Sequence, residues 1–272
     1  MGRAARLLGH DVTLVTPIVV WPERQTHLVA VDEARFVLKL DNDHERLARE
    51  AAGQRQAADL GVPVPEVIAE EAGALVMRFV EGLPLTEPAP AAAVVETGRW
   101  LRVMHDRGAT EPNYAGHRRW SDAVEAWLAP ELDGCVCDGH VGASLAEEVR
   151  AALDDAREAL DAHRPVWCHG DFQAAHVLAD PATSRVTAIL DFADHRAGEP
   201  GWDMSVFTIY DESLIDPLLD GYDASATLRD ALTLTLPLYR VLRLLGSVRW
   251  LAERDHPAVD DHVARIHAWQ RR

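Results

Sequence analysis

This chain opens in strand-like alternation and closes in helical periodicity, and any fold it adopts must hold both. Residues 11–20, 27–32 and 35–40 are rich in Val, Leu, Ile and Thr and read as strands. Breaks at Trp21-Pro22-Glu23-Arg24-Gln25 and Asp32-Glu33-Ala34 predict an antiparallel meander. A helix is predicted over 43–59, with Asp41 or Asn42 as its cap and Gly61 as its stop. Pro63 and Pro65 bound a further strand pair, 66–70 and 74–79. Gly82-Leu83-Pro84 then breaks the pattern and reads as the link to a second lobe. Helices are predicted over 90–106, 120–129, 143–162, 211–221, 225–254 (with Pro237 as a point of breakage) and 258–270. Caps are expected at Trp120 or Ser121, at 142–144 and at 223–225. The exception is 165–192, where 166–168, 177–178 and 186–190 read as short strands around a turn at 180–184.

Length and charge narrow the classes of function. A chain of 272 residues makes one large domain or two modest lobes. Its net charge of −17 argues against nucleic acid and anionic membranes as partners and would attract a cationic small molecule, although solubility alone explains such a charge equally well. Three cysteines, Cys135, Cys137 and Cys168, are too few for a disulfide scaffold and suit a cytoplasmic protein. Cys135-x-Cys137 has no second ligand pair at zinc-site spacing. The leucine-rich run 232–245 contains Arg240 and Arg243, so it reads as a buried helix rather than a membrane span. Every basic residue other than histidine is arginine except one, Lys39, which lies in a strand-like segment. Chance could leave a single lysine, and a site that needs a compact point charge rather than a planar fork would also keep one.

The densest polar cluster lies in 165–203. His169, Asp171 and His176 precede the 177–190 hairpin, and Asp191 and Asp194 follow it. Pairing of 177–178 with 186–190 would bring Asp171, His176 and Asp191 to one cleft. Phosphoryl transfer requires such a set: one carboxylate orients the attacking hydroxyl, and others hold a divalent cation against the phosphates. Oxygen-rich sites with few protein ligands suit Mg²⁺.

His169-Gly170-Asp171-Phe172, followed by Ile189-Leu190-Asp191-Phe192 and Gly198-Glu199-Pro200-Gly201-Trp202-Asp203, resembles the aminoglycoside phosphotransferase family, small-molecule relatives of protein kinases. Phe36-Val37-Leu38-Lys39, Leu47-Ala48-Arg49-Glu50-Ala51, Gly61-Val62-Pro63-Val64-Pro65 and Leu101-Arg102-Val103-Met104-His105 fit in the same order, so the resemblance spans about residues 12–250. It implies an α+β, protein-kinase-like bilobal fold. A small β-rich nucleotide-binding lobe would cover 1–81, and a larger, mainly helical catalytic and substrate-binding lobe 82–272. It implies ATP or GTP as co-substrate, Mg²⁺ (or Mn²⁺) as cofactor and a small-molecule acceptor. That acceptor is an antibiotic of aminoglycoside, macrolide or nucleoside type, or a metabolite.

The resemblance also implies roles. Lys39 contacts the nucleotide phosphates and Glu50 holds it. Met77, Arg78, Phe79 and Val80 form the hinge that reads the base. Asp171 orients or deprotonates the acceptor hydroxyl, and Asp191 binds the metal. His169, Asp194 and Asp203 are expected to brace the site. Asp211, Glu212 and Asp216 are weaker candidates for a cationic substrate; a solvated helix face explains them as well. Trp120, Trp127, Trp202 and Trp269 could stack on a ligand, although core packing explains most tryptophans.

The chain departs from the family twice. His176 stands where the family has a metal-binding Asn. An imidazole suits Mn²⁺ or Zn²⁺ better than Mg²⁺, so His176 binds metal differently, contacts a phosphate, or leaves the metal to Asp191 and water. Residues 16–27 contain no glycine to bring backbone N–H groups close to phosphates; Arg24, Gln25 or Thr26 would substitute. A catalytically silent binding protein of the same fold is the alternative these departures support. The joint presence of Lys39, Glu50, Asp171 and Asp191 argues against it. The short stretch from Asp191 to Asp203 leaves no activation segment for a protein-directed kinase.

Overall fold

The strand-like alternation of the first forty residues becomes three antiparallel strands, β1 (Thr13–Val20), β2 (Arg24–Val31) and β3 (Ala34–Asp41). The structure, a computed structural model, describes residues 2–86, 89–109, 116–162 and 164–270. Its contacts divide the chain into two units. The first comprises Met1–Met104, His169–His195 and Asp220–Tyr222; the second comprises His105–Cys168, Arg196–Leu219 and Asp223–Arg272. This grouping does not break at residue 81, because 82–104 and 169–195 join the N-terminal sheet in the first unit.

In chain order the remaining elements are α1 (Gly2–Leu8), α2 (His44–Asp59), β4 (Val67–Glu71), β5 (Ala74–Arg78), β6 (Leu83–Pro84) and α3 (Ala91–Asp106). There follow α4 (Trp120–Cys137), α5 (Ala143–Leu160), β7 (Val166–Cys168), β8 (Val177–Ala179), β9 (Val186–Ile189) and β10 (Arg196–Gly198). The last four helices are α6 (Pro200–Phe207), α7 (Ile215–Tyr222), α8 (Ala226–Ala252) and α9 (Val259–Gln270).

In the first unit the sheet order is β1-β2-β3-β5-β4. Alternation along β3 separates two faces. Phe36 and Leu38 pack with Val29 and Val76 under Ala4 of α1. Val37 shares the opposite face with Leu75 and Met77, beside Leu47 and Ala51 of α2. Lys39 belongs to that second face, with Thr26 and Leu75 as its cross-strand neighbours. Helix α1 was not expected from the sequence. Only its Ala4 is buried, so seven residues leave no apolar period to read.

Helix α2 begins where expected, but neither Asp41 nor Asn42 caps it. Asp43 does, being the residue in extended conformation directly before the first turn; its carboxylate accepts from the Arg46 N–H at 3.0 Å. Asp41 instead accepts from the Asp43 N–H and from Arg24 Nε, each at 2.9 Å. The second sheet pairs β8 with β9 in the register Val177↔Ile189 and Leu178↔Ala188, with β6 on the other side of β8. The expected hairpin is therefore present.

The second unit is helical around one core. Trp120, Leu128, Leu132, Val149, Leu153, Trp202, Tyr239 and Leu245 are among its buried residues. Helix α4 runs past the expected end at 129, with Pro130 inside it. Helix α8 likewise continues through Pro237. Proline removes one backbone donor in each case, and buried neighbours on both sides, Leu128 and Leu132 or Leu236 and Leu238, hold the helix across the gap. Segment 211–221 is not one helix: a 3-10 turn at Glu212–Leu214 precedes α7. The expected cap Ser225 accepts from the Leu228 N–H at 3.2 Å. At α4 the cap position falls to Arg119, which supplies no side-chain bond, while Ser121 donates to Asp161. Helix α6 was missed, although Pro200 in its first turn and Glu199, accepting from the Gly201 N–H, were readable start signals. Among the described residues α8 alone is long and apolar enough to cross a membrane, and 56% of its apolar window is buried in this core.

A buried polar chain crosses the same core. Trp120 Nε1 donates to the Tyr239 hydroxyl at 2.6 Å, and that hydroxyl donates to Glu199 Oε2 at 2.7 Å. Burial pushes the Glu199 carboxyl up to about 7, against the pull of its Tyr239 and Gly201 donors. The folded state thus keeps a proton that the unfolded chain releases near pH 4.3. Stability falls as pH rises through that window, by roughly 4 kcal/mol in all. Glu199→Gln keeps the acceptor and removes the ionisation. Urea unfolding at pH 5 and pH 8 should show a larger loss for the wild type than for the variant; equal losses would contradict a raised Glu199.

Candidate functional site

The first unit contains a cavity of about 480 Å³. Ile18, Val19, Thr26 and Val37 from β1 to β3 line one part of it, and Met77, Arg78, Phe79 and Val80 another. Lys39, Glu50, Gln54, His176 and Asp191 supply most of its polar groups. The four hinge candidates are therefore together at this cavity. The Arg78 N–H donates to Glu66 O at 2.9 Å and the Phe79 N–H to Arg35 O at 3.1 Å, so both are engaged in the sheet.

Lys39 stands between two carboxylates. Its Nζ lies 2.5 Å from Glu50 Oε1 and 3.4 Å from Asp191 Oδ1. Glu50 is 2% exposed on α2. Burial alone would lower the Lys39 pKa, but Glu50 first and then Asp191 outweigh it and raise it, so the ammonium stays charged. Burial would likewise raise Asp191. Lys39, then His176 and Arg46, outweigh it and hold this carboxyl well below the ordinary range.

The Asp171 loop sits beside this cluster. Gly170 is at φ +88°, and a Cβ there would lie 2.0 Å from the Asp194 carbonyl oxygen. His169 braces the loop: Nε2 donates to Leu190 O at 2.9 Å, and Nδ1 accepts from the Asp171 N–H at 3.3 Å. Asp171 does not itself line the cavity. Both of its carboxylate oxygens accept from Gln173 Nε2, at 3.0 and 3.1 Å. His176 joins Asp171 to the cavity, with Nδ1 2.9 Å from the Asp171 carbonyl and 3.9 Å from Asp171 Oδ2. A carbonyl only accepts, so Nδ1 carries the proton; in the neutral ring Nε2 then bears a lone pair. Among the described residues Nε2 has no hydrogen-bond partner. An ionised carboxylate at Asp191 and an imidazole lone pair at His176, on one cavity, fit a divalent cation.

Other expected residues are elsewhere. Asp211, Glu212 and Asp216 belong to the second unit. Asp211 accepts from the Ser213 N–H and hydroxyl, and Glu212 pairs with Arg240 at 3.0 Å. Asp203 is fully buried there and meets His105 Nε2 at 3.1 Å; His105, Cys168 and Asp203 bring their polar atoms within 4.8 Å of one another. This contact joins α3, β7 and α6, a bracing position. Trp120, Trp127 and Trp202 form edge contacts with each other or Tyr239 and pack in the core. Trp269 packs against that core. Arg24 is not at the cavity, because Asp41 holds it; Gln25 meets His27 Nε2 at 3.0 Å. Thr26 alone of the three loop candidates lines it.

The sequence reading missed three polar side chains. Arg46 reaches Asp194 and Asp191 from α2; its place one turn before Glu50 was the signal. Gln173, two residues after Asp171, had none. Gln54 lines the cavity, bonds Pro65 O through Nε2 and leaves Oε1 without a partner; one turn after Glu50, it was legible in the same way.

The model of the phosphotransferase enzyme family matches residues 23–245. The aminoglycoside 3'-phosphotransferase of Streptomyces fradiae is 34% identical over 146 residues, 48% of this chain and 52% of that protein, so the match spans about half of each. Among solved structures, a candidate fructosamine-3-kinase from Thermobifida fusca YX-ER1 aligns with TM-score 0.74 and 21% identity over 100% of this chain and 98% of that one. A thermostable mutant of aminoglycoside phosphotransferase APH(4)-Ia, in ternary complex with AMP-PNP and hygromycin B, aligns with TM-score 0.74 and 17% identity over 99% and 97%. The fold is the kinase-like α+β fold these proteins share.

The close approach at Gly170 can be tested directly. Gly170→Ala should lower unfolding free energy by about 2 kcal/mol or more, since it combines left-handed strain with a backbone clash. A denaturant titration that leaves the variant as stable as wild type would contradict the loop geometry.

Proposed function

Because this chain belongs to the phosphotransferase enzyme family, we propose that it moves the γ-phosphoryl group of ATP or GTP to a hydroxyl of a small-molecule antibiotic, foremost an aminoglycoside. The observation that carries this reading is the charged cluster at one cavity: Lys39 held by Glu50, with Asp191 beside it. A fixed ammonium and a metal-ready carboxylate suit a polyphosphate, whose transfer depends on positioning and charge stabilisation. In this reading residues 1–81 supply the nucleotide-binding lobe and 82–272 the catalytic and substrate-binding lobe.

Each side chain then has a defined task. Lys39 contacts the phosphates, and Glu50 keeps it charged and aimed. Met77 to Val80 border the base; the N–H groups of Arg78 and Phe79 being used, Val80 offers the base its backbone. Asp191 and His176 would hold the divalent cation, which neutralises phosphate charge when bound. Asp171, oriented by Gln173 and His176, takes the proton of the attacking hydroxyl. His169, Asp194 and Asp203 brace these groups.

The net charge of −17 supports a cationic acceptor through long-range attraction, and the half-length relative supports an aminoglycoside. A metabolite is the second reading, favoured by the fructosamine-3-kinase likeness. Asp211, Glu212 and Asp216 are proposed as weaker contacts for a cationic acceptor.

Incubation with ATP or GTP, Mg²⁺ and an antibiotic panel should yield, by mass spectrometry, a product heavier by one phosphoryl group. Asp171→Ala should slow its formation by about 10²–10⁴-fold; near-normal turnover would remove Asp171 from the chemistry. If His176 Nε2 touches the metal, His176→Asn should raise the ratio of Mg²⁺- to Mn²⁺-supported activity, because an amide oxygen replaces an imidazole nitrogen. Identical metal profiles would take His176 out of the site.

A further inference from the structure

The loop that carries Asp191 sits in a conformation that its own backbone does not favour. Asp191 is at φ 65°, ψ 63°, the left-handed region, where a Cβ crowds the following carbonyl. Aspartate enters this region more readily than most residues, and contacts from outside the residue keep it there. Helix α2 is placed to do so. Arg46 Nη1 donates to both carboxylate oxygens of Asp194, at 3.2 and 3.3 Å, and its Nη2 lies 3.9 Å from Asp191 Oδ1. Arg49 Nε reaches the Ala193 carbonyl at 3.4 Å. A Cβ on Gly53 would lie 2.4 Å from the His195 ring and 3.0 Å from Phe192, so helix and loop are in direct contact. Glu50, one turn beyond Arg46, fixes Lys39, which faces the same Asp191 oxygen at 3.4 Å.

We propose that Arg46 is a positioning residue, whose Nη1 bonds to both carboxylate oxygens of Asp194 hold the 191–195 loop on α2 and so aim the Asp191 carboxylate at the divalent cation. The proposal rests on the reading above that Asp191 binds that cation. Arginine suits the position because one rigid plane presents Nη1 to Asp194 and Nη2 toward Asp191, whereas a lysine offers a single nitrogen on a flexible stem.

Positioning and simple charge predict opposite signs. As a charge alone, Arg46 repels a nearby cation, so removing it would tighten metal binding, while removing the Asp194 charge would weaken it. As a positioner, Arg46 and Asp194 act as one unit, so losing either weakens metal binding and losing both does little more. The measurement is the affinity for Mn²⁺·ADP, by calorimetry and by the EPR signal of free Mn²⁺. It is made on wild type, Arg46→Met, Asp194→Asn and the double variant, with metal-free ADP in parallel.

The expected result is a loss of about tenfold for each single variant, the scale found for groups that orient metal ligands. The double variant should match the singles, and metal-free ADP should bind all four proteins alike. Arg46→Lys, which keeps the charge and is least disruptive to folding, should also lose affinity. Unchanged affinity in both single variants, or tighter binding in Arg46→Met, would overturn the proposal. Failure of wild type to bind Mn²⁺·ADP at all would instead overturn the functional reading on which it rests.

Discussion

One ammonium group between two carboxylates organises the first unit. Lys39 lies 2.5 Å from Glu50 and 3.4 Å from Asp191, and those residues come from a strand, a helix and a loop. A buried carboxylate such as Glu50 is costly without a partner, and removing one member of a buried pair leaves the other charge uncompensated. The cluster therefore links three segments far apart in sequence. It also explains why an otherwise arginine-based chain keeps one lysine here: an ammonium can face two separate oxygens as a point charge.

The cost of that arrangement falls on the loops around it. Asp191 takes a left-handed conformation, and Gly170 sits at positive φ so closely against the Asp194 carbonyl that no side chain fits. His169 spans this pair of turns, bonded to Leu190 on one side and to the Asp171 N–H on the other. Strain at such turns is characteristic of sites held ready for a ligand. The glycine-free β1–β2 turn shows the contrary economy. It closes tightly through reciprocal Trp21 and Arg24 backbone bonds and spends Arg24 on Asp41 rather than on the cavity.

Much of this was legible in the sequence because it is written in period and spacing. Alternation gave the meander and put Lys39 on a strand, and the hairpin of β8 and β9 followed from two apolar runs around a turn. Lys39, Glu50 and Asp191, which line the cavity, were named from motifs that keep their order. What escaped detection lacks periodicity. Helix α1 buries one alanine, and α6 was read as a motif rather than as a capped helix. Helix α4 outran its prediction because tertiary packing overrides a single proline. Gln173 was invisible, since its role depends on where a turn points an amide. Arg46 and Gln54 could have been found, each one turn from Glu50 on the same helix face.

The central claim is that Lys39, Glu50 and Asp191 form a site for a metal-bound nucleotide. Calorimetry with AMP-PNP, with and without Mg²⁺, on wild type and Asp191→Ala tests it most directly. Mg²⁺ should tighten binding to wild type, and Asp191→Ala should keep metal-free binding while losing this gain. No binding to wild type, or a full Mg²⁺ gain in Asp191→Ala, would contradict it.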